Sequence, residues 1–219
     1  MKVFIDTEFF EYSPLAVRDR EFIDTPGANA VQLISIGAVR ADGAEFYAEN
    51  AEFSWEDVPE DHWIQSNVRP HLVNPYTVEN LPDLASGGLH YLRGTPADIA
   101  QKFHEFAIGG PPDTNVPTIE GVVADLTYSQ PEFWGYMCDY DWVVLCGLYG
   151  RMVDLPPEFP KFCLDLKQEM HRMNVSRHDL PAQPDDAHHA LADARWIRDA
   201  YNFMPGDGLS YWGEDAMWP

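Results

Sequence analysis

Residues 2–8, KVFIDTE, set a short apolar, β-favouring run directly before two carboxylates. Residues 2–6 read as a buried strand. Side chains two apart on a strand share a face, so Asp6 and Glu8 project together beyond its end. Like charges that close raise each other's pKa unless a cation lies between them. A hard divalent metal with oxygen ligands removes that penalty. The plain alternative is a solvated strand end in an acidic chain, and the stretch alone leaves both open.

Outward from this strand, VQLISIGAVR (31–40) and AEFYAEN (44–50) read as two more strands, joined by an Asp42-Gly43 hairpin turn. Helices are expected over 56–68 and 96–107, the second opened by Thr95 as N-cap and Pro96 at the first helical position. FWGYMC (133–138) reads as a fourth strand, and DWVVLCGLYGRM as a buried helix ending near Gly150. FPKFCLDLKQEMHRM gives a short strand and a helix. HALADARWIRDAYNFM gives a closing amphipathic helix with Ala190, Ala194, Ile197 and Tyr201 on one face. This order predicts one α/β domain over 1–219, a mixed β-sheet flanked by helices. Insertions are expected over 11–30 and 109–131, and an aromatic tail over 209–219.

The formal charge is −22, with 14 basic residues against 36 acidic ones. Such a surface repels polyanions, so any nucleic-acid function must be local, through bound cations or a small basic patch. A high-salt habitat would give the same balance. The one basic cluster is Lys161, Lys167, His171, Arg172 and Arg177, where phosphate contact and a solvated helix face stand side by side. Cys138, Cys146 and Cys163 are odd in number and lack a CxxC pair, which suits reduced thiols in a cytoplasmic protein. The N-terminus lacks the apolar run of a signal peptide, and no segment has the length and apolarity of a membrane span.

Three further acidic residues enter the argument. Asp141, in CDYDWVVL, stands at a strand–helix junction, where a helix cap and a site at a strand's carboxyl end are both open. Asp139 is its rival. Asp193, in LADAR, is by default an exposed helical aspartate, but it follows His188 by five positions and His189 by four. At four positions His189 would share a helical face with Asp193, which suits a pair of metal ligands.

In this order, FIDTEF, CDYDWVVL and HHALADA resemble the three motifs of the DEDDh family of 3′–5′ exonucleases, which have a ribonuclease H-like fold. MKVFIDTEFF, QLISIGAVRADGAEFYAEN and EFSWEDV with the later NVRPHL also resemble the polyadenylate-specific exoribonucleases known as RNase AS. The likeness covers most of the chain and departs at the two insertions and the tail.

The resemblance implies a two-metal phosphodiesterase using Mg²⁺ or Mn²⁺, which all-oxygen ligation favours over zinc. It places Asp6, Glu8 and Asp193 around the metal that carries the attacking water. Asp6 also touches the second metal, and Asp141 binds nearby or through water. The family spacing makes His188 the general base, a role suited to an imidazole. Thr7, Phe9 and Phe10 are candidate substrate contacts; either ring could stack on the terminal base or pack in the core. Trp55 and Trp63 are left to core or interface. The implied partner is the 3′ end of single-stranded RNA, adenylate-rich tails included, with no membrane, and the implied assembly is a homodimer. A proofreading-type exodeoxyribonuclease and a catalytically silent nucleic-acid-binding module are the alternatives.

Overall fold

The computed structural model describes residues 1–11, 31–72, 89–109, 130–183 and 187–204. The two expected insertions and the aromatic tail fall almost wholly outside them. The first strand, β1 (Lys2–Glu11), runs well past the carboxylate pair. It is flanked by β2 (Val31–Arg40), which pairs antiparallel with it and with β3 (Glu45–Asn50). The hairpin turns where expected, with Gly43 at φ 92°, a conformation that glycine adopts without steric cost.

Three more strands, β4 (Leu89–Gly94), β5 (Glu132–Gly135) and β6 (Leu164–Asp165), complete a sheet of order β4-β3-β2-β1-β5-β6. These three pair in parallel with their neighbours, so β2 alone runs against the rest. The result is the expected α/β architecture with a mixed six-stranded sheet, consistent with a ribonuclease H-like fold.

Two local expectations are corrected. β4 was not anticipated, because LHYLRG is an edge strand, half-exposed along its length, with no clean alternation to read. The helix expected over 56–68 is instead a 3₁₀ turn at Trp55–Asp57 followed by a short α1 (Trp63–Asn67). Pro59 holds Val58 extended (ψ 121°) and breaks the run. His62 then restarts it as an N-cap, accepting the Ile64 N–H.

Helix α2 (Pro96–Ala107) begins with the expected cap, Thr95 and Asp98 exchanging bonds in a capping box. With α3 (Asp139–Leu148) it covers one face of the sheet. There Val3, Ile5, Ile36 and Phe46 pack against Ile99, Phe103 and Leu145. On the other face, α4 (Leu166–Met173) and α5 (Ala190–Phe203) bury Leu166, Met170, Trp196 and Ile197 against Phe4 and Trp134. Burying each such side chain stabilises by about 1.5–3 kcal/mol. Apart from both lies a smaller core in which Val58, Ile64 and Val68 cover Phe10 and Ile34.

Two glycines fix how helices meet this sheet. A Cβ on Gly37 of β2 would lie 2.3 Å from the Ala190 carbonyl, so α5 begins directly on the strand's backbone. A Cβ on Gly135 would lie 2.4 Å from that of Cys138, where the chain turns out of β5, shorter than the expected 133–138 strand, and into α3. All three cysteines are free thiols. Among the described residues no helix is long and apolar enough to cross a membrane.

Candidate active site

The carboxyl half of β1, the start of α3 and the start of α5 meet around a groove of about 460 Å³. Asp6, Thr7, Glu8, Asp141, His188 and Asp193 all line it. Alternation on β1 sets Asp6 and Glu8 on the same side as Phe4, the side that α5 covers. Asp193, in the first turn of α5, meets them there.

Asp141 reaches the same point from α3. Its Oδ1 accepts both the Thr7 N–H, at 2.8 Å, and the Thr7 hydroxyl, at 2.6 Å. Asp141 is buried, whereas Asp139, its rival in the sequence, is exposed. Asp193 accepts the His188 N–H at 2.7 Å through Oδ2 and the Gln183 side-chain amide at 3.4 Å through Oδ1.

The electrostatics are those of crowded, buried carboxylates. Burial raises the Asp6 pKa well above the usual carboxylate range, and the charges of Asp141, Asp193 and Glu8 add to it. Burial, followed by Asp193 and Asp141, pushes Glu8 up to about 8. Asp141 rises to about 6, again through burial, with the two Thr7 hydrogen bonds holding it down. A site that protonates its acids so readily calls for positive charge. Ligand atoms of Glu8, His188 and Asp193 lie within 4.8 Å of one another, close enough to share one cation. The donors are carboxylate oxygens and one imidazole, and no cysteine lines the groove, a set suited to Mg²⁺ or Mn²⁺ rather than a thiolate-bound metal.

The adjacent histidines part company. His188 lies in the groove with φ 72°. His189 is the N-cap of α5: its Nδ1 accepts the Leu191 and Ala192 N–H groups, and its ring stacks on Tyr47 at 4.5 Å. His189 does not line the groove.

The two phenylalanines separate as well. Phe9 lines the groove, its ring stacked on Tyr140 at 5.6 Å. Phe10 does not; it is 5% exposed in the small core under α1, so it is withdrawn as a substrate contact. Strand alternation gives Phe10 the face that α1 covers, and Phe9 the face beside α3.

Trp63, expected in core or interface, is 50% exposed on the groove wall, its indole edge-on to the His188 ring at 4.6 Å. Sequence reading also missed Gln183, Met137, Tyr136, Tyr140 and Trp196 on the groove lining. Tyr136, Met137 and Tyr140 come from the junction of β5 with α3, Gln183 from the chain before α5 and Trp196 from α5 itself, and no local pattern marks them.

No protein-family model matches the chain. It is similar to a 3′–5′ exoribonuclease of Mycobacterium tuberculosis strain CDC 1551, and equally to the 3′–5′ exoribonuclease of strain H37Rv. Each comparison gives 30% identity over 195 residues, covering 89% of this chain and 88% of the relative. Likeness of that extent, over nearly the full length of both partners, places the chain in the family of these mycobacterial 3′–5′ exoribonucleases.

Proposed function

We propose that the protein is a metal-dependent 3′–5′ exoribonuclease of the DEDDh type, closest to RNase AS. It removes nucleotides from the 3′ end of single-stranded RNA, adenylate-rich tails included. The observation that carries this reading is the convergence of Asp6, Glu8, Asp141, Asp193 and His188 on one groove. The 3′–5′ exoribonuclease activity of the mycobacterial relatives supports it.

In this reading Asp6, Glu8, Asp141 and Asp193 hold two divalent cations, magnesium or manganese. Those cations would supply the charge that binds the scissile phosphate and acidifies a water molecule. His188, exposed at the mouth of the groove, accepts the proton as that water attacks phosphorus. The bond from phosphorus to the 3′-oxygen of the preceding nucleotide breaks, that oxygen takes up a proton from solvent to become the new 3′-hydroxyl, and a nucleoside 5′-monophosphate is released. The bond from the His188 backbone N–H to Asp193 ties the residue that carries the base to the carboxylate cluster. Thr7 orients Asp141. Phe9 and Tyr140 offer aromatic faces to the terminal base. The same reading takes the chain as a single exonuclease domain that works as a homodimer. The free thiols suit a reducing, cytoplasmic setting.

The decisive assay incubates the protein with 5′-labelled and 3′-labelled single-stranded RNA and DNA of several compositions, in Mg²⁺, Mn²⁺ or EDTA. Stepwise shortening of RNA from the 3′ end, stopped by EDTA, is expected. Intact strands in every divalent metal would overturn the proposal, and faster loss of DNA would reassign the substrate.

A further inference from the structure

On a chain of charge −22, an RNA strand must leave the groove along a path that does not repel it. Most cations on the described surface are spent. Lys2, Lys102, Arg151, Arg172, Arg195 and Arg198 are each paired with a carboxylate. Lys161 points its ammonium at the Leu155 carbonyl.

Lys167 and Arg177 differ in standing at the groove, Arg177 with one guanidinium N–H on the Pro181 carbonyl at 3.2 Å. Among the described residues neither has a carboxylate partner, and both lie against rings that line the groove. The Lys167 ammonium is 6.0 Å from the centre of the Tyr136 ring, and the Arg177 guanidinium 4.2 Å from that of Trp196. Tyr136 and Trp196 themselves meet edge to face at 5.1 Å. The groove therefore ends, on its α4–α5 side, in two aromatic rings each carrying a cation.

Beyond Lys167 lies a cleft of about 300 Å³ lined, among the described residues, by Lys167, Met170, His171, Asn174, Val175 and Ser176, none of them a carboxylate. Among the described residues the neighbouring acids are occupied. Asp165 accepts the N–H groups of Cys138, Lys167 and Gln168. Glu169 holds Arg172, and Asp179 accepts the Ser176 N–H. Lysine, imidazole, amide and hydroxyl side chains facing one hollow are the donors that phosphate oxygens take.

We propose that Lys167, Arg177 and His171 bind backbone phosphates of the RNA upstream of the scissile bond, so that the strand leaves the groove past Tyr136 and Trp196 into this cleft. This rests on the exoribonuclease reading and adds the path of the strand to it. Contacts to backbone phosphates carry no base preference, so the site would set grip on longer strands rather than choice of sequence.

The test measures KM, and the Kd of a fluorescent oligoadenylate by anisotropy, for a dinucleotide and for a strand of about a dozen nucleotides, across a salt series. In a Lys167→Gln/Arg177→Gln variant, Kd and KM for the longer strand should rise about tenfold more than those for the dinucleotide. The slope of log affinity against log salt should flatten by about 0.7 for each phosphate that is no longer neutralised. Lys167→Arg/Arg177→Lys, which keeps both charges, should recover most of the grip. Arg151→Gln, remote and fully exposed, controls for net charge. An unchanged salt slope and length dependence in the double Gln variant would overturn the proposal, as would an equal loss in Arg151→Gln. A wild-type protein that cleaves no strand would instead overturn the exoribonuclease reading, and the anisotropy comparison would still decide whether these side chains hold RNA.

Discussion

Thr7 binds Asp141 twice through one carboxylate oxygen, by its N–H at 2.8 Å and its hydroxyl at 2.6 Å. The strand that supplies two carboxylates thereby also aims a third, which comes from a helix more than a hundred residues later. The hydroxyl removes part of the rise that burial imposes on the Asp141 pKa. Thr7→Val keeps the shape and the N–H bond but loses the hydroxyl. Activity at limiting Mg²⁺ should fall about tenfold, the lower end of what removing a group behind a metal ligand costs. Saturating metal should restore most of it, as a Mg²⁺ titration of initial rates would show.

The raised carboxylates make stability depend on pH in a fixed direction. With folded pKa values above the unfolded ones, Asp6, Glu8 and Asp141 favour the folded state fully at about pH 4 and below. That contribution is lost as pH rises through about 6 for Asp141 and about 8 for Glu8. In EDTA the melting temperature should therefore fall between about pH 5 and pH 8. Millimolar Mg²⁺ should abolish most of the fall, while NaCl of equal ionic strength should not. Glu8→Gln should flatten the EDTA curve.

His188 and His189 should respond differently to substitution. His188→Asn, which suits the left-handed backbone there, should cost about a hundredfold or more in kcat and leave the melting temperature near wild type. His189→Ala should cost about 1 kcal/mol through the lost cap and further stability through the Tyr47 stack, while kcat changes far less. Thermal melts and single-turnover rates on the same samples separate the two. A larger kcat loss in His189→Ala would reverse the assignment.

Gly37 carries no side chain into the groove, but it stands opposite Asp6 across the β1–β2 ladder, and Gly37→Ala should be damaging. The new methyl group meets the backbone of Ala190 and Leu191 at 2.3 Å, and backbone cannot rotate aside. The variant should lose about 1–3 kcal/mol. Because α5 must shift while carrying Asp193, its metal affinity should weaken too. Calorimetry with and without Mg²⁺ would show both.

Much of this was legible in the chain because the information was local. KVFIDTE announced its strand and its paired carboxylates, Asp42-Gly43 its hairpin, and Thr95-Pro96 its helix start, each within a few residues. The order of the acidic motifs carried the rest of the cluster. What stayed hidden depended on distant partners. β4 gains its place only by pairing with β3, and an exposed edge strand shows no alternation. Trp63 reads as a core or interface tryptophan, since nothing near it in sequence reports that His188 lies beside it. Phe9 and Phe10 are chemically identical, and only the packing of α1 and α3 tells them apart.

The small core around Phe10 and Ile34 has a mechanical consequence. It anchors the segment bearing His62, Trp63 and Ile64, one bank of the groove, while the carboxylates are seated over the two larger cores. Bank and bed therefore rest on different sets of buried side chains, and local stability follows such packing. A substitution that hollows the small core, such as Ile64→Ala, should therefore loosen this bank and the contact of Trp63 with the His188 ring before it reaches the four acids.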